Sequence, residues 1–84
     1  MPLPDLIHLE AVLKRFRRLR DLTQRDVEER TGVPGSQLSG YENGRYLPQL
    51  PRLWKLLDAY GVDLDDLERS LRERAEQDRW TWPS

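Results

Sequence analysis

The stretch LTQRDVEERTGVPGSQLSGYENG, Leu22 to Gly44, divides into two short helices about a tight turn. Thr23 carries a hydroxyl able to cap a helix, and Asp26 three residues on completes a weak capping box, so the first of the two starts near Gln24. Val27 and Thr31 lie four apart on one face. Gly32 follows where a chain leaving a helix needs the left-handed backbone that glycine adopts without strain. Val33 supplies an apolar plug between the helices, Pro34 a fixed φ suited to a first helical position, and Leu38 and Tyr41 recur three apart on an inward face. The second helix is therefore expected from about Pro34 to Glu42. Asn43-Gly44 reads as its C-cap, since both residues tolerate left-handed backbone. The rival reading, a hairpin turn, lacks flanking alternating strands.

Outward from this stretch, Leu6, Leu9, Val12, Leu13, Phe16 and Leu19 recur at spacings of three and four. They describe one apolar stripe on a helix from about Asp5 to Arg20, whose polar face is strongly basic. Beyond Gly44, Arg45-Tyr46-Leu47 forms a loop. Pro48 and Pro51 lead into a fourth helix with Leu50, Leu53, Trp54, Leu56 and Leu57 inward, stopped by Gly61. Asp63 can cap a fifth helix, on which Leu64, Leu67, Leu71 and Ala75 repeat at three, four and four residues to near Asp78. No strand pattern or internal repeat appears. Five helices on short loops describe an all-α bundle in which the second and third are presented by the others. Residues 1–78 are expected as one domain and 79–84 as a tail. Trp80 and Trp82 in that region would be a costly exposed patch, so they must fold back on the core or meet another chain.

An 84-residue chain buries only about 60 to 65% of its unfolded surface, which allows a single modest core. Cysteine is absent, so disulfides and thiol chemistry are excluded, and the lone His8 cannot assemble a zinc site. No metal or cofactor is expected. One histidine, no cysteine and no clustered carboxylates leave no acid-base or nucleophile set for catalysis. The N-terminus lacks a basic leader, and no apolar run approaches the roughly 18 residues that span a bilayer, so a cytoplasmic protein is expected, without membrane association. Net charge is −1, but unevenly spread. Residues 14–45 carry eight basic groups against five acidic ones, +3, whereas residues 46–84 carry six against eight, −2, and residues 1–13 hold only Asp5 and Glu10, another −2. The Leu22–Gly44 stretch lies within the basic part.

Taken with its surroundings, the stretch resembles the Cro and phage-repressor family of helix-turn-helix domains, the XRE type, over roughly Leu13 to Leu67. The resemblance rests on Arg17, Leu22-Thr23-Gln24, Gly32-Val33, Leu38, Glu42-Asn43-Gly44, Pro48, and Leu64 with Leu67. It implies a lambda-repressor-like five-helix fold with a C-terminal helical extension, binding double-stranded DNA. One departure is Glu28, where the family usually has a small alanine at the close approach of the two motif helices. Its carboxylate must bend outward into solvent or find a partner that adjusts the helix crossing.

A recognition helix points its N-terminal residues at base edges in the major groove. Gly35, Ser36, Gln37, Ser39 and Gly40 are therefore the candidate base-facing positions, with Gln37 at the margin. Gly35 and Gly40 have no side chain and weaken the helix, each by about 0.5 to 1 kcal/mol relative to alanine. Either the backbone approaches DNA or a partner closely there, or the helix reads little sequence itself. Gln24, at a helix N-terminus, is a candidate phosphate contact, as are Asn43, Arg45 and Tyr46 beyond the recognition helix and Arg25 beside Gln24; capping and solvated charges are the plainer readings. The resemblance also places Arg17 beside Glu42 as a structural ion pair.

A sequence-specific transcriptional regulator follows from these features, in its preferred version a repressor acting as a homodimer on half-sites about 34 Å apart. Leu71, Trp80 and Trp82 form the candidate dimer surface. The alternative is a protein-interaction module on the same fold, such as an antitoxin that neutralises a toxin partner.

Overall fold

The computed structural model describes residues 8–80, with side chains through residue 77. Five helices follow in order: α1 Leu9–Leu19, α2 Gln24–Thr31, α3 Gly35–Glu42, α4 Leu50–Tyr60 and α5 Leu64–Trp80. The architecture is all-α. Helix α1 packs on α3 and α5, while α2 packs on α3 and α4. Leu13, Val27, Leu38, Leu56, Tyr60 and Leu71 are the largest fully buried side chains at the centre.

Local chemistry sets the helix ends. At the start of α2 the Asp26 N–H donates to Thr23 Oγ1 at 3.0 Å and the Thr23 N–H to Asp26 Oδ2 at 2.8 Å, a reciprocal capping box. Asp63 and Asp66 repeat this ahead of α5, at 2.8 and 3.0 Å. Gly32 ends α2 with φ 77° and its N–H on the Glu28 carbonyl at 2.8 Å. Thr31 does more than share a face with Val27. Its hydroxyl donates to the Val27 carbonyl at 2.7 Å and accepts from the Val33 N–H at 3.1 Å, clasping the turn from inside. Pro34 is the N-cap of α3, with φ −59° and ψ 140°, rather than its first helical residue. Of the Asn43-Gly44 pair that ends α3, Gly44 is left-handed at φ 73°, while Asn43 stays at −103°. Gly61 closes α4 at φ 69°, and the Arg20 guanidinium donates to the Tyr60 carbonyl at 2.8 Å, a cation at the negative end of that helix.

Several expected inward residues face out. Leu19, the last residue of α1, is 68% exposed. The chain reverses through Asp21 at φ 55°, and Leu22 takes the core place beyond Phe16 instead. On α4 the buried stripe is Leu56, Leu57 and Tyr60 with Leu53 partly covered beside it, which leaves Leu50 and Trp54 on its flank, both at least half exposed. Leu64 is 47% exposed at the first position of α5, and Ala75 lies on a turn beyond the covered part of the stripe. Helix α5 extends to Trp80, past the expected end near Asp78. Leu6 and the expected start of α1 at Asp5 lie outside the described residues.

The capping boxes carry a pH signature. Hydrogen bonds from the backbone N–H and hydroxyl of Thr23 hold the Asp26 carboxyl below the usual aspartate range, and the Asp66 N–H does the same for Asp63. A depressed folded-state value means the contribution is complete above the unfolded value and is lost as pH falls through the folded one. Substituting Asp26→Asn and Asp63→Asn together keeps a capping oxygen and removes the charge. The doubly substituted chain is expected to show a flatter dependence of its urea midpoint on pH below about 4. Equal slopes for the two proteins would rule this out.

Candidate nucleic-acid interface

The last turn of α3 is anchored by a buried carboxylate. Arg17 Nε donates to Glu42 Oε2 at 2.7 Å and Nη2 to Oε1 at 2.9 Å, a bidentate pair. Its third nitrogen donates to the Leu22 carbonyl at 2.8 Å, and Gln24 Nε2 reaches Glu42 Oε1 at 3.3 Å. The side chains are 12% and 2% exposed for Arg17 and Glu42. The hydrogen bond to Glu42 outweighs desolvation and raises the Arg17 pKa further. Tyr60 lies within reach of the same charges. Burial, reinforced by the Glu42 charge, pushes its phenol well above the usual tyrosine range, so it stays neutral. One carboxylate thus ties α1, the N-terminus of α2 and the end of α3 together.

The outer face of α3 presents fewer readers than the sequence offered. Ser36 is exposed and Ser39 half-buried, with its Oγ accepting from Asn43 Nδ2 at 3.2 Å. Gly35 is half-buried under Glu28, whose Oε1 would stand 3.1 Å from a Cβ on Gly35. Glu28 bends outward and is exposed, and the missing side chain at Gly35 makes room for it. Gly40 is not base-facing: it is buried beneath Tyr46, whose ring occupies the place of any Cβ there. The close approach to this glycine is made by the protein's own tyrosine. Gln37 is turned aside as well, its Oε1 buried without a partner among the described residues, beside a cleft shared with Tyr41, Tyr46 and Arg52.

Among the candidate phosphate contacts, Gln24 is half-buried with its amide engaged by Glu42. Its backbone still opens α2. The Arg25 side chain is 87% exposed and only loosely paired with Glu29 at 3.6 Å. Asn43 and Arg45 are exposed, and Arg45 has no ion pair among the described residues. Tyr46 is half-exposed; its hydroxyl donates to the Ser36 carbonyl at 3.3 Å and its ring meets Tyr41 edge-on, centroids 5.4 Å apart. Leu71, a candidate dimer residue, is 2% exposed within the core and cannot serve as a surface. The Trp80 side chain and Trp82 lie outside the described residues. Sequence reading missed the Gly40–Tyr46 and Gln24–Glu42 contacts; the one signal of the former was an unexplained glycine inside a helix.

A capped helix, a glycine turn and a second helix with one uncovered face form a helix-turn-helix. The helix-turn-helix family model, of the Cro/C1 XRE type, matches residues 13–67, and the chain belongs to that family of transcriptional regulators, which are not enzymes. It is 34% identical over 55 residues to the HTH-type transcriptional regulator MJ0272 of Methanocaldococcus jannaschii, covering 66% of this chain and 83% of that protein. To the HTH-type regulator y4dJ of Sinorhizobium fredii it is 44% identical over 48 residues, 57% of this chain and 62% of that one. The crystal structure of the clp gene regulator ClgR of Corynebacterium glutamicum superposes with a TM-score of 0.74 at 28% identity, covering 94% of this chain and 89% of that one. No helix among the described residues is long and apolar enough to cross a membrane.

Proposed function

We propose that this chain reads a specific duplex DNA sequence in the cytoplasm and represses transcription as a homodimer. The observation that carries the reading is the outer face of α3, where Ser36 and Asn43 stand clear beside the half-buried Ser39, with Arg45 just beyond and Arg25 exposed on α2. Serine and asparagine side chains offer the donors and acceptors that base edges and phosphates use. Arginines without strong partners supply the neutralising charge. A two-fold dimer would place a pair of such helices about one DNA turn apart. Support for a dimer now comes from Trp54 and Leu64, both about half exposed beside one cleft between α4 and α5, rather than from Leu71. The same cleft, walled by Asp58, Asp63 and Asp65, favours the second reading, an acidic and apolar surface for a basic protein partner such as a toxin.

Salt dependence separates the two. Each phosphate neutralised contributes roughly −0.9 to the slope of log affinity against log salt. Replacing Arg45→Ala is expected to weaken binding to all sequences and to lower that slope by about one per bound subunit. A slope unchanged by the substitution removes Arg45 from the phosphate contacts, and a response flat in salt favours the protein-binding reading.

A further inference from the structure

The geometry points to Tyr46 as a base-reading residue that supplies, from the loop after α3, the side chain Gly40 lacks; this rests on the DNA-reading proposal above. Residue 40 lies four beyond Ser36 and three before Asn43, so it shares their outward face. A glycine there leaves a gap in the row of readers. The gap is filled. The atoms nearest an ideal Cβ on Gly40 are Cζ, Oη and Cε2 of Tyr46, closer than any side-chain carbon permits. The hydroxyl end of the phenol, coming in from the loop, therefore occupies the place where a side chain from position 40 would begin. Tyr41 braces its ring edge-on at 5.4 Å and the Ser36 carbonyl accepts its hydroxyl proton at 3.3 Å.

With the proton directed at the helix, the phenol oxygen keeps its lone pairs for an incoming donor. In the major groove that donor is an exocyclic amine, adenine N6 or cytosine N4, and the ring carbons suit a neighbouring thymine methyl. Tyr46 is thus a specificity residue, where the sequence alone placed it on a phosphate. The glycine at 40 is required by this arrangement, because any side chain there would evict the tyrosine.

The test is selection from a randomised duplex pool, followed by affinities for the preferred site and each single-base-pair variant at one salt concentration. Wild type is compared with Tyr46→Phe, Tyr46→Ala, Gly40→Ala and the double variant. Tyr46→Ala is expected to reduce discrimination at one base pair per subunit by about five- to tenfold, leaving the other positions unchanged. Tyr46→Phe, which keeps the packing, loses part of the same preference. Gly40→Ala reproduces the Tyr46→Ala pattern, and adding it to Tyr46→Ala changes nothing further. Uniform weakening across all sequences, or no change, in the Tyr46 variants overturns the assignment while the DNA-reading proposal stands. A wild type that enriches no sequence overturns both.

Discussion

Replacing Glu42→Ala is expected to cost about 3–5 kcal/mol, because it strands the partly buried Arg17 guanidinium among groups arranged for a carboxylate. At 4–8 °C per kcal/mol for a domain of this size, the melting temperature falls by roughly 12–40 °C, against a total stability of only about 5–15 kcal/mol. Arg17 keeps some access to water and a bond to the Leu22 carbonyl, which favours the lower part of that range. The pair itself need not add net stability. Changing Arg17→Met and Glu42→Leu together is expected to recover much of the loss, since two apolar side chains leave no charge unpaired. Thermal and urea unfolding of the three proteins decide the matter. A cost below about 1 kcal/mol for Glu42→Ala would show the pair to be an exposed ornament of the surface.

Leu38 and Leu50 make a matched comparison. Leu38 is fully buried where α3 meets the rest of the core, and truncation to alanine is expected to cost about 2–5 kcal/mol through lost transfer energy and the cavity left behind. Leu50, read from the sequence as equally inward, is 55% exposed, and its truncation is expected to stay within about 0.5 kcal/mol. Similar losses at both positions would mean that Leu50 is covered by a partner or by a different packing of α4. Urea midpoints at constant m-value provide the measurement.

Helix ends were legible because their causes lie within a few residues. Thr23 with Asp26, Gly32, Gly61 and Asp63 each act on backbone groups no more than four positions away, and all stand where the sequence placed them. Apolar periodicity located each helix but not the edges of its buried stripe. Whether Leu19, Leu50, Trp54 or Leu64 is covered depends on how far a neighbouring helix extends, which no local pattern contains. Among site residues, Ser36 and Arg45 are exposed as helical spacing and loop position imply. Gly40 and Gln37 depart from expectation because Tyr46 and its cleft come from another segment of chain. Gln24 departs in part because Glu42, eighteen residues away, claims its amide.

The Thr31 clasp has a consequence for how this protein meets its target. With one hydroxyl bonded both to the turn before and to the residue after Gly32, the link between α2 and α3 has little freedom to flex. In the DNA-reading mode proposed above, the two helices would enter the groove as a preformed tool rather than assembling there, with little ordering entropy lost on docking. Accommodation of an imperfect site would then fall to the nucleic acid, whose own stiffness would become part of what is discriminated.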